Sequence, residues 1–203
     1  MSETPDHRYP VGSVRALLDG AHVTAPTRAA LLARLADPPP ARPDVLGDRL
    51  ATLTAVCARL IPQPDRETPI AVAGLLHARL ATGIGDGWRY ADLPQGDATW
   101  RHGLDGIDET ARAMFGADFT GLPAGHQDAV LRGVQAGDPA GAIWHALPAA
   151  RFFEVLLTAA VEAYYAQPRA QDEIGYAGMA DAPGWQAIGL GEREPREPAE
   201  ITP

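Results

Sequence analysis

Lysine and asparagine are missing altogether from this chain of 203 residues, serine occurs only at Ser2 and Ser13, and Cys57 is the sole cysteine. Each absence removes chemistry. Without lysine there is no Schiff-base amine and no phosphate-loop lysine, and with no serine after position 13 a G-x-S-x-G nucleophile elbow is excluded. One thiol forms no internal disulfide and no zinc site that needs two or more cysteines. All basic residues are arginine, and 17 of them against 26 acidic residues leave a formal charge of -9. No run of arginines forms a basic patch, which speaks against a nucleic-acid partner.

Long hydrophobic runs are also lacking. The longest, Val155 to Tyr165, is broken by Glu162 and falls short of the roughly 18 to 20 apolar residues of a membrane span. The opening MSETPDHRYPVGSVRALLDG has no apolar region of about 7 to 15 residues, as a secretory signal requires, and no paired arginines, as a twin-arginine signal requires. As written, the chain is expected in the cytoplasm.

What is present is helical periodicity punctuated by proline and glycine, with no alternating β-branched run that suggests a sheet. The pattern predicts an all-α fold, a compact helical domain of six or seven helices. Residues 1–44 read as an N-terminal arm with one short helix, opened at Thr24 and carrying Leu31, Leu32 and Leu35, followed by the stiff connector DPPPARPD. Residues 45–166 read as the helical core, and 167–203 as a glycine- and aromatic-rich loop with an acidic, proline-rich tail.

Within the core, Leu46, Leu50, Leu53, Cys57 and Leu60 recur at helical spacing and form one stripe, which turns Cys57 inward as an inert thiol. Thr68 and Pro69 have the chemistry of a helix cap and first turn, ahead of Ile70, Ala73, Leu76, His77 and Leu80. Asp97 is placed to cap a helix to Phe115 with Trp100, Leu104, Ile107, Ala111 and Met114 on one face. Segments around Val130, Leu131 and Val134, and AIWHAL around Trp144, read as further helices. The last helix runs through Tyr165. Between Phe152 and Tyr165 only Glu154, Thr158 and Glu162 are polar, at steps of four, so most of its circumference requires cover from the bundle or from another protein.

Candidate catalytic groups are few. His102, Asp105 and Glu109 share a face of the Trp100 helix, but Arg112 follows Asp108 and Glu109 at i+4 and i+3, the pattern of a solvated face with weak ion pairs. His77 reads as a hydrogen-bonded core imidazole, and His22, His126 and His145 have no partner at ligand spacing. Glu154 and Glu162 stand about 12 Å apart along a helix, beyond the roughly 5 to 9.5 Å of paired glycosidase carboxylates. Neither GIGDGW nor GYAGMADAPGW follows a strand or matches G-x-G-x-x-G, so neither is a dinucleotide cradle. A stand-alone helical enzyme or small-molecule or metal binder using His77, His102 or an acidic residue is the alternative to a binding role.

Tyr176, Met179, Trp185 and Ile188 are large apolar side chains on an irregular segment. With Tyr165 at the end of the long helix, they are the candidate partner-interface residues. They fold back on this chain's own helices or meet a partner, at whose surfaces Trp, Tyr and Met are enriched. The tail GLGEREPREPAEITP lacks aromatics and is not expected to fold by itself.

FFEVLLTAAVEAYYAQP followed by GYAGMADAPGWQAIGL resembles the C-terminal signature of the gluconate 2-dehydrogenase subunit 3 family, a long aromatic helix leading to a Gly-Trp-x-x-Ile-Gly element, here Gly184, Trp185, Ile188 and Gly189. LTAVCARLIPQPDRETPIAVAGLLHARLA is similar to the family's opening pair of helices. The resemblance implies a noncatalytic accessory subunit, paired with a large FAD-dependent oxidoreductase of the glucose-methanol-choline type and often with a cytochrome c subunit. The flavin and the catalytic residues would then belong to the large subunit, with no cofactor bound by this chain. Family members commonly carry a twin-arginine signal and assist folding, maturation or export of that subunit. The opening residues here depart from that pattern, so the expectation is a cytoplasmic stabilising subunit.

Overall fold

The computed structural model describes residues 8–36, 44–64, 66–84, 90–179, 181 and 184–201. Residues 1–7, the connector prolines within 37–43, and residues 85–89 of the first glycine-rich loop lie outside them. Among the described residues there are eight α-helices, three 3-10 turns and no strand, so the chain is all-α. None of the described helices is long and apolar enough to cross a membrane. Two compact units emerge, residues 38–163 and the pairing of 1–37 with 164–203.

The unit of residues 38–163 holds α3 (Arg49–Leu60), α4 (Val72–Ala81), α5 (Asp97–Phe115), α6 (Ala124–Ala136) and nearly all of α7 (Ala149–Tyr165). Helix α3 packs against α4, α5 and α6, and α5 also packs against α6. The expected apolar stripes supply the core: Leu46, Leu53 and Cys57 from α3 and its approach, Ala73, Leu76 and His77 from α4, and Val130, Leu131 and Val134 from α6. Burial pushes the Cys57 thiol up to about 12, which keeps it neutral and unreactive.

Close approach in this unit depends on two glycines of α5. A Cβ placed on Gly103 would lie 2.1 Å from the ring of Phe152, and one on Gly106 would lie 2.6 Å from the indole of Trp144. The rings of Trp144 and Phe152 meet at 6.0 Å with a tilt of 44°. Helix α7 exposes Glu154, Thr158 and Glu162, the predicted polar stripe, along with Val161.

Three local expectations in this unit give way to other contacts. Thr68 and Pro69 do not start α4, which begins at Val72 after Ala71. The side chain of Gln63 instead holds Ile70 by both backbone groups, accepting its N–H at 2.8 Å and donating to its carbonyl at 3.1 Å. These two hydrogen bonds engage the Ile70 backbone just ahead of the helix. Asp97 is the first residue of α5, not its cap, and pairs with Arg101 at 3.0 Å. AIWHAL forms only a 3-10 turn at Ile143–His145, whose leading N–H groups, those of Ala142 and Ile143, are accepted by Glu109 at 3.0 Å each.

The unit of residues 1–37 and 164–203 contains α1 (Ser13–Leu18), α2 (Ala25–Ala33) and α8 (Pro168–Gln171). Leu18, Val23 and Leu31 form its buried cluster, with Met179 packed against them. Helix α1 has only six residues, too few to persist by propensity, and its first turn is secured from far along the chain. Asp172 accepts the N–H of Val14. At the other end, Arg28 gathers the carbonyls of Leu18, Gly20 (3.0 Å) and Val23 (3.3 Å), satisfying groups that a helix terminus leaves open.

Candidate functional site

The acidic face of α5 is built differently from the solvated surface that its sequence suggests. Asp105 forms a two-pronged pair with Arg49 at 2.6 and 2.8 Å. Asp108 accepts the Thr52 hydroxyl and the Phe119 N–H, both at 2.9 Å. Glu109 holds the turn at Ile143–His145, and Arg112 pairs with Asp118 and not with either α5 carboxylate. The N–H of Ile143, then that of Ala142, hold the Glu109 carboxyl below the usual carboxylate range. These carboxylates are consumed in joining helices. His102 is exposed on the same helix.

His77 is buried, with Nε2 3.0 Å from Oδ1 of Asp44. The approach is at ion-pair distance but off the line of a hydrogen bond. The Gly47 N–H, ahead of that of Leu46, holds Asp44 below its ordinary range, so this carboxylate serves a turn. Among the described residues, no group of three or more His, Cys, Asp or Glu side chains is placed to hold a metal ion. Leu17, His22, Val23, Ala177, Met179 and Arg196 line a shallow depression with room for about one water molecule, far short of a ligand pocket.

The five interface candidates all fall in the unit of residues 1–37 and 164–203. At the end of α7, the carbonyl of Tyr165 accepts from Gln171 Nε2 at 2.9 Å and that of Ala166 from Arg34 at 3.2 Å. Tyr164 turns inward and bonds Glu173, whereas Tyr165 meets it edge-on at 5.1 Å and stays 39% exposed. Tyr176 is 45% exposed and folds over Gly178, whose carbonyl accepts its hydroxyl at 3.0 Å. Met179 faces the Leu18, Val23 and Leu31 cluster. Trp185 is 42% and Ile188 83% exposed.

Sequence reasoning passed over two exposed neighbours of these residues, Ile174 and Leu190. Each stands two positions from a chosen residue, Tyr176 and Ile188 respectively, and this local clustering of large apolar side chains was the available signal. The Gly184 φ of 64° lies in the left-handed region that glycine adopts at no steric cost, which turns the chain immediately before Trp185.

Fold and surface together define an all-α protein that displays large apolar side chains from an irregular C-terminal segment held by its own polar contacts. The family model described as gluconate 2-dehydrogenase subunit 3 matches residues 47–189, and the chain belongs to that family. The family's name places it with a subunit of a dehydrogenase complex. No curated protein and no solved structure matches the chain.

Proposed function

We propose that this chain is a noncatalytic accessory subunit that binds a large FAD-dependent sugar or alcohol dehydrogenase subunit of the gluconate type and stabilises or matures it. Family membership carries this reading. The flavin and the reacting groups belong to the large subunit in this scheme, and a cytochrome c subunit is its third member. The α5 carboxylates and His77 are engaged in structural contacts, which agrees with a chain that acts by binding.

Tyr165, Tyr176, Trp185 and Ile188, joined by Ile174 and Leu190, supply the docking surface. Tryptophan and tyrosine dominate interface energetics because they bring large apolar area with few rotatable bonds. Met179 supports the surface from beneath. The large flavoprotein subunit, titrated with the wild-type chain and with Trp185→Ala in a calorimeter, is expected to lose about 2 to 4 kcal/mol of binding free energy. Unchanged affinity, with the variant's helical circular dichroism intact, overturns Trp185 as an anchor. Absence of any binding by the wild-type chain overturns the accessory role.

A further inference from the structure

The tail beyond Ile188 turns back on the loop that carries Trp185. Glu194 stands among charged and proline residues yet is only 6% exposed. Its Oε1 accepts the N–H groups of Gln186 and Ala187, the second at 2.8 Å. Its own N–H donates to Oε2 of Glu197 at 2.9 Å, and Nη2 of Arg196 donates to the Gly184 carbonyl at 3.2 Å. The tail thus grips the main chain on both sides of Trp185.

The character of this grip decides its role. A lid would bury the side chains beneath it, but Trp185 stays 42% and Ile188 83% exposed, with the Arg196 guanidinium 5.2 Å from the centroid of the indole. Bonds confined to the backbone fix the direction of a side chain without covering it. Those to Glu194 are charge-assisted and therefore among the stronger kind, and the Gln186 N–H, then that of Ala187, keep its carboxyl below the usual range. A loop already ordered does not lose that freedom on association.

We infer that residues 193–197 form an intramolecular clasp, with Glu194 as its positioning residue, that presets the loop from Gly184 to Ile188 for docking into an apolar recess of the large subunit. The inference rests on the accessory-subunit reading. The clasp lies beyond residue 189, where the family match ends.

The test compares the full-length wild-type chain with Glu194→Ala, Glu194→Gln and Trp185→Ala. Affinity for the large flavoprotein subunit and amide hydrogen exchange at Gln186 and Ala187 are both measured. Glu194→Ala is expected to weaken binding about tenfold and to raise exchange at the two amides by about tenfold or more, with thermal stability nearly unchanged. Glu194→Gln retains the accepting oxygen and is expected to recover much of both. Trp185→Ala weakened but Glu194→Ala binding as wild type overturns the clasp alone. Tighter binding by Glu194→Ala shows the tail to be a mask, and overturns it too. Failure of the wild-type chain to bind, or indifference to Trp185→Ala, overturns the underlying reading and the clasp with it.

Discussion

Oδ1 of Asp172 accepts the backbone N–H of Val14 across 2.7 Å, joining residues 158 positions apart. Helix α1 therefore depends on α8 and the turn after it. Asp172→Ala leaves a buried N–H without its acceptor, at a cost of about 1 to 3 kcal/mol. Hydrogen exchange of residues 13–18 should accelerate in this variant, and Asp172→Asn, which keeps an acceptor oxygen, should lie between it and wild type. Equal protection in all three would show that the contact does not hold the helix.

Gly103→Ala sets two effects against each other. Alanine improves helix propensity by up to about 1 kcal/mol, but the new methyl would fall 2.1 Å from the fully buried ring of Phe152. Overpacking costs about 1 to 3 kcal/mol, so the clash wins and the urea midpoint drops. Gly133→Ala in α6 is the control. Its Cβ would meet only Pro139 at 4.0 Å, so propensity alone acts and the midpoint rises.

Glu109 supplies a pH dependence of known sign. Its folded-state pKa is depressed by two N–H groups, so its stabilising effect is complete above the unfolded carboxylate pKa and disappears as pH falls through the folded value. In Glu109→Gln an amide NH₂ faces one of the two donors, so the variant is less stable at pH 7. Denaturation curves of the two proteins should converge once pH falls well below about 4, the ordinary glutamate range. A gap that persists at low pH would show that the loss is steric.

Arg28→Lys tests the turn after α1. The guanidinium spreads over three carbonyls in a planar fork, a geometry that an ammonium on a flexible stem does not reproduce. Losing one or two of these bonds costs about 1 kcal/mol or more. Limited proteolysis should cleave first between residues 19 and 24 in the variant. An unchanged cleavage pattern would count against this role.

Much of the architecture is written locally. The stripes of α3, α4 and α6 read directly from apolar spacing, and all three fill the core, because a helix of ten residues or more with one apolar face has a single way to bury it. Elements set by remote partners do not read this way. Helix α1 has no local cap, since its acceptor is Asp172. The α5 carboxylates look like surface charge until Arg49, Thr52 and the Ala142 and Ile143 amides arrive from elsewhere in the chain. AIWHAL has helical composition, yet it makes a single turn whose Trp144 settles on Gly106. Gln63 similarly overrides the capping chemistry of Thr68 and Pro69. On the candidate surface, Tyr176, Trp185 and Ile188 stand out as large apolar residues in irregular chain. The burial of Glu194, which braces Trp185, was hidden within a tail that reads as solvated.

The placement of Cys57 has a practical consequence. Its thiol is enclosed by the helical core, and burial pushes it up to about 12, so near neutral pH maleimides and disulfide reagents meet a blank protein. A cysteine introduced at Ile188 or Leu190 would be the single reactive handle, with no need to remove the native one. A dye placed there would report directly on whether that face is wet or covered.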